Sequence, residues 1–203
     1  MITKEIYAKR RELFFQQMKP NSIAILSASP AYLRNNDIEF PFRQSSDLLY
    51  LTGFTEPESI AVFNKTDKGN QFILFCLERN PEIEQWVGYR FGQKNAIGKF
   101  GANEAYSIDE ADQHIPGLLQ GKEYVYYAYG RHEAFDSRML GWMNQVRAQL
   151  RSGINIPNHI INIESITHEM RLIKSEEEIA LMQEAVDINI RAFKTAIKKC
   201  RPG

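Results

Sequence analysis

The side chains with chemical potential in this sequence are four histidines at positions 114, 132, 159 and 168, an acidic run from Glu176 to Glu178, and the cysteines Cys76 and Cys200. A helical metal site needs two histidines at i and i+4 on one face, as in His-Glu-x-x-His, and no pair here has that spacing. His168-Glu169 comes nearest, but no second histidine follows it. The expectation for each histidine is therefore a surface or hydrogen-bonding role. The three glutamates directly follow Ser175, which reads as a helix N-cap with acids against the positive end of the helix dipole rather than as a ligand cluster. A Gly-x-Ser-x-Gly elbow is absent, and the glycines at 88, 92, 98 and 101 do not make a dinucleotide fingerprint. Cys76 and Cys200 form neither a disulfide framework nor a Cys-x-x-Cys pair. No catalytic constellation is complete.

Charge narrows the field further. Lysine plus arginine and aspartate plus glutamate balance at 25 each. Zero net charge argues against nucleic acid or a polybasic membrane contact as partner. The 203 residues fit one domain, or one domain and the beginning of a second. The first ten residues are too charged for a signal peptide, and no apolar run approaches membrane-spanning length. A soluble, cytoplasmic protein is expected.

The elements that would position any site follow from periodicity. Thr3 opens a predicted helix ending at Pro20-Asn21, with Ile6, Leu13, Phe14 and Met18 near a 3.6 period. Ser22–Ser27 reads as a strand buried on both faces. Arg34 to Glu39 reads as a polar loop, and Asp47 to Thr52 as a strand that Gly53 ends. Ile60–Phe63 and Phe72–Leu77 predict a hairpin with a loop longer than the minimum. Ser107 and Glu110 make a capping box for a helix running to Gly121. A strand over 124–129, an amphipathic helix from about His132 to Arg151 and a short strand over 158–163 come next. Ser175 and Glu178 then open a last helix, whose stripe Ile179, Met182, Val186, Ile190, Phe193 and Ile197 needs a cover. The alternation predicts an α/β domain with a mixed β-sheet flanked by helices.

Three blocks carry a family resemblance. Phe40 through Pro57 contains Arg43, Asp47, Tyr50, Thr52, Gly53, Phe54, Glu56 and Pro57 in the order Arg-x-x-x-Asp-x-x-Tyr-x-Thr-Gly-Phe-x-Glu-Pro. Trp86 to Gly92 reads Trp-x-Gly-x-Arg-x-Gly, and His168 to Ile179 reads His-Glu-Met-Arg-x-x-Lys-Ser-x-Glu-Glu-Ile. Their order resembles the N-terminal domain of the aminopeptidase P (Xaa-Pro aminopeptidase) family and its junction with a catalytic domain. The resemblance implies a creatinase/aminopeptidase P-type N-terminal domain over 1–170, then the start of a truncated pita-bread metallopeptidase domain over 171–203.

The family reaction removes the N-terminal residue from peptides with proline at position two, using two metal ions, usually manganese. All ligands would lie downstream, so the resemblance implies no metal or other cofactor and no catalytic residue in this part, which alone would be inactive. It would serve assembly of a homo-oligomer and substrate access. Trp86 would line a neighbouring subunit's substrate pocket. Arg43, Asp47, Tyr50, Gly53 and Pro57 read as fold-holding, with Arg43 and Asp47 paired across a bend. Between Leu150 and His159 the chain is shorter than in some bacterial relatives that place a basic residue near the active site, and the resemblance leaves open whether Arg151 fills that role. The alternative is a non-catalytic peptide- or protein-binding module of the same fold, as in a histone-chaperone subunit. Creatine or dipeptide hydrolysis by sister families ranks lower because of the Arg43 to Pro57 block.

Overall fold

The computed structural model describes residues 2–201. Its centre is a six-stranded mixed sheet in the order β6-β5-β4-β1-β7-β8. The strands are β1 (Ser22–Ser27), β4 (Ile60–Thr66), β5 (Gly69–Cys76), β6 (Glu104–Ser107), β7 (Tyr124–Tyr127) and β8 (His159–Asn162). Strand β1 runs parallel to β7, and β7 parallel to β8, whereas β4 is antiparallel to both β1 and β5. A mixed sheet covered by helices is the architecture that the alternating pattern predicts.

Alternation along β1 sorts the core into two layers. Ala24 and Leu26 pack with Phe14 of α1 (Lys4–Gln17), Leu48 and Leu51 of α2 (Ser46–Thr52), Ala96 of α4 (Gly92–Phe100) and Ile166 of α7 (Glu164–Leu172). Ile23 and Ile25 pack on the other face with Ile115 of α5 (Ala111–Leu119) and with Met139, Trp142 and Val146 of α6 (Glu133–Arg147). The strand is buried on both sides, as its unbroken apolar run requires.

Several local expectations are corrected. Asp47 to Thr52 is helix α2, not a strand. Its apolar residues fall three apart, so Leu48 and Leu51 both reach the core from one helical face. Gly53 ends that helix in the left-handed region, at φ 71°, and donates its N–H to the Leu49 carbonyl at 2.8 Å. A Cβ there would stand 2.6 Å from the Tyr7 ring, so position 53 needs glycine for its dihedral and for space. The polar stretch after Tyr32 forms a small hairpin, β2 (Leu33–Asn35) with β3 (Ile38–Glu39). The β4–β5 hairpin pairs Thr66 with Gly69, so its loop is the two-residue minimum and not a longer one. Helices α3 (Pro81–Val87) and α4 and strand β6 had no clear periodicity to announce them. The helix after Ser107 begins as a 3-10 turn and ends at Leu119, and α6 ends at Arg147 before a separate 3-10 turn over Leu150–Ser152. Both capping boxes form.

The last helix, α8 (Glu176–Lys199), spans 24 residues and buries none of them. At 1.5 Å per residue it is about 36 Å long. Ile179, Met182, Val186, Ile190, Phe193 and Ile197 are all exposed along it. Among the described residues, no helix is long and apolar enough to cross a membrane.

Candidate functional site

The chain leaves the parallel strands β1, β7 and β8 in different directions. After β1 it reaches α2 on one face, after β7 it reaches α6 on the opposite face, and after β8 it returns to the first face as α7. Diverging connections of this kind open a crevice at the carboxyl ends of the strands, where open α/β sheets place ligands. Here the crevice is an open cavity of about 390 Å³ whose lining includes Arg43, Asp47, Arg131, His132, Glu164 and His168.

Two ion pairs frame it. Arg171 Nη1 donates to Asp47 Oδ1 at 2.6 Å, and the Asp47 side chain is only 12 % exposed. His168 Nε2 stands 3.8 Å from Asp47 Oδ2. Close to it Arg131 pairs with Glu164. Partial burial pushes the Glu164 carboxyl up, but hydrogen bonds from Arg131 and Asn162 and the charge of Arg131 outweigh it and hold the group below the ordinary carboxylate value. Glu164, His168 and Arg171 occur at i, i+4 and i+7 on α7, which places all three on one helical face. Sequence reasoning missed this set because it sought two histidines. The i, i+4, i+7 pattern of three charged or ionisable groups was the available signal.

Asp47, Glu164 and His168 present ligand atoms all within 4.8 Å of one another. They do not fit a two-metal centre. Three donors are too few for two ions, and each carboxylate already holds a guanidinium.

The residues singled out in sequence separate into two groups. Arg43 does not pair with Asp47; the helical turn directs Asp47 towards α7, and Arg43 lies exposed at the cavity rim. Tyr50 donates its hydroxyl to the Met170 carbonyl at 3.0 Å and carries the Arg10 guanidinium 4.1 Å above its ring. Pro57 follows a turn braced by Gln44, whose side-chain amide donates to the Glu56 carbonyl at 2.7 Å. Asp47, Tyr50 and Gly53 thus hold α2 against α7 and α1. Trp86 stands apart from all of them, on α3, a helix with no buried residue, and is 90 % exposed. Asn80 caps that helix through the N–H groups of Glu82 and Ile83, and Arg79 pairs with Glu84 at 3.1 Å, so local bonds rather than core packing hold it. Trp86 does not share the cavity of Asp47 and His168.

Comparison with known proteins agrees with this architecture. The family model described as "Aminopeptidase P, N-terminal domain" matches residues 7–126. The Xaa-Pro aminopeptidase of Escherichia coli is 37 % identical over 203 residues, covering 100 % of this chain and 46 % of that protein. Human Xaa-Pro aminopeptidase 3 is 31 % identical over 190 residues, covering 91 % of this chain and 36 % of that protein. Among solved structures, Pseudomonas aeruginosa aminopeptidase PepP superposes with a TM-score of 0.96 at 44 % identity, over 100 % of this chain and 46 % of that one. A zinc-substituted Escherichia coli aminopeptidase P in complex with product gives a TM-score of 0.95 at 37 % identity, with the same coverage. The chain spans less than half the length of these relatives. It belongs to the aminopeptidase P family and corresponds to that family's N-terminal domain.

Proposed function

We propose that this chain is the non-catalytic front part of a metal-dependent, cytoplasmic Xaa-Pro aminopeptidase, and that it serves subunit assembly and substrate access. The observation that carries this reading is Trp86. A large aromatic costs free energy in water, and this one is held almost fully exposed on a helix fixed by its own caps. Such a side chain is placed to meet another surface. In the assembled enzyme that surface would be a neighbouring subunit's substrate pocket, where Trp86 restricts entry to short peptides with proline second. The metal of the intact enzyme would supply an activated water. Two manganese ions and their ligands would belong to the catalytic domain of that enzyme. The exposed stripe of α8 supports the same reading, since it needs a cover that the first domain does not supply. A division near residue 170 would make α8 the first helix of the catalytic domain.

The test uses the complete parent protein. Trp86→Ala should lower kcat/KM for an Xaa-Pro tripeptide at least tenfold while leaving the melting temperature unchanged. Unaltered kinetics would overturn the role. The 203-residue chain alone should hydrolyse no such peptide, and turnover by it would overturn the division of labour.

A further inference from the structure

The crevice between β1 and β7 lies apart from Trp86 and has its own chemistry. Its lining is mainly polar, with Ser27, Ser29 and Gln44 beside the charged groups; Ile25, Leu26 and Ile163 lie buried beneath it, and the half-buried Phe135 of α6 is its apolar side. Its charged residues are three guanidinium groups, from Arg43, Arg131 and Arg171, against two carboxylates, from Asp47 and Glu164. The two carboxylates are each bound to one arginine. Arg43 is left over, and forms no ion pair with any described residue. His132, in the same lining, occupies the N-cap position of α6, where its imidazole makes no capping hydrogen bond. The cavity of about 390 Å³ lies at the small end of the range for small-molecule sites.

We propose that this crevice is a binding site for a small carboxylate of amino-acid size, held through its carboxylate by Arg43 and His132 with its short apolar part against Phe135. A guanidinium matches a carboxylate in planar two-point geometry. The Asp47–Arg171 and Glu164–Arg131 pairs act as fixed walls. They neutralise each other and leave the surplus positive charge at the rim. The diverging strand connections supply the opening, as in other open sheets. Nothing in this site needs the residues proposed to act on peptides, so its ligand is independent of that reading.

The experiment titrates the 203-residue chain with L-alanine, L-alaninamide, propionate, inorganic phosphate and zinc, followed by calorimetry and by amide chemical shifts. L-Alanine or propionate should bind saturably, with shifts confined to Ser27, Arg43, His132 and their neighbours, and L-alaninamide should not. Stronger binding of alanine than propionate identifies a free amino acid as the source, and the reverse a simple acid; either supports the site. Arg43→Gln is at an exposed position and leaves folding intact. It should weaken the interaction at least tenfold, the loss of charge-assisted hydrogen bonding by the guanidinium. His132→Ala should weaken it by a smaller factor. The proposal is overturned if neither carboxylate saturates, if Arg43→Gln binds as tightly as the parent, or if phosphate binds more tightly than both. It is also overturned if zinc alone binds, in a manner lost in His168→Ala, which would make the crevice a cation site.

Discussion

Arg10 Nη2 and Glu178 Oε1 stand 3.1 Å apart, joining the first helix to the first turn of the last. The Arg10 side chain is 7 % exposed, and its guanidinium stacks on Tyr50 and donates to the Tyr50 carbonyl. Glu178 uses its second oxygen to accept the Ser175 N–H at 2.9 Å, which closes the capping box of α8. One carboxylate therefore starts the helix and also fixes the direction in which it leaves the domain. Glu178→Ala removes the cap and strands a buried cation. Cap loss alone is worth about 1 kcal/mol, and an unpaired, partly screened charge adds a comparable amount. The expected cost is about 2 kcal/mol in denaturant unfolding, with faster amide exchange in the first turn of α8. Glu176→Ala, at an exposed neighbour, should change neither.

The two tryptophans should respond oppositely to truncation. Trp142 is 1 % exposed, and its Nε1 donates to Asp112 at 2.7 Å between α6 and α5. Trp142→Ala opens a cavity in the second core layer and should cost about 3–5 kcal/mol. Trp86→Ala removes no packing and should cost less than about 0.5 kcal/mol. Chemical denaturation of the two variants side by side measures the contrast, and equal losses would contradict the placement of Trp86.

How much of this was legible in sequence depends on where each signal resides. The capping boxes at Ser107 and Ser175 were readable because both partners lie within four residues. Strand β1 was readable because a sheet covered on both faces demands an unbroken apolar run. Helix α2 was misread because six residues, Asp-Leu-Leu-Tyr-Leu-Thr, are too few for periodicity to separate helix from strand. Tertiary contacts with Tyr7 and α7 decide its form. The Asp47–Arg171 pair spans 124 residues, and no local pattern announces a partner at that distance. The exposure of Trp86 has a local signal, since Glu84, Gln85 and Arg90 around it are polar.

The uncovered face of α8 makes a prediction about association. Burying a large apolar side chain is worth about 1.5–3 kcal/mol, and six such residues line this helix in water. The isolated chain should therefore self-associate through α8 in a concentration-dependent way. Deleting residues 175–203 should leave a folded monomer, since Arg10 keeps its stack on Tyr50 and its bond to the Tyr50 carbonyl. Sedimentation equilibrium of both chains checks this. A monomeric parent with strongly protected α8 amides would show that the helix packs on its own domain.

Glu56 gives the fold a pH dependence of definite sign. Its carboxylate is buried, with one oxygen accepting the Phe91 N–H at 2.7 Å and the other lacking a hydrogen bond. Burial pushes this carboxyl above its ordinary value of 4.5, against the lowering effect of the Phe91 N–H and the charge of Arg90. The folded state thus holds the Glu56 proton more tightly than the unfolded state does. The stability that protonation supplies is fully present below pH 4.5 and is lost as pH rises through the raised value. Glu56→Gln keeps an oxygen for the Phe91 N–H and carries no charge to bury. Between pH 4.5 and 7 the parent should lose stability at this group while the variant does not, so Glu56→Gln should be at least as stable as the parent at pH 7. Denaturant midpoints of both proteins at the two pH values measure the difference. A variant that is less stable at pH 7, with a parent that loses no stability relative to it between the two pH values, would mean that the Phe91 N–H and the charge of Arg90 outweigh the burial of Glu56.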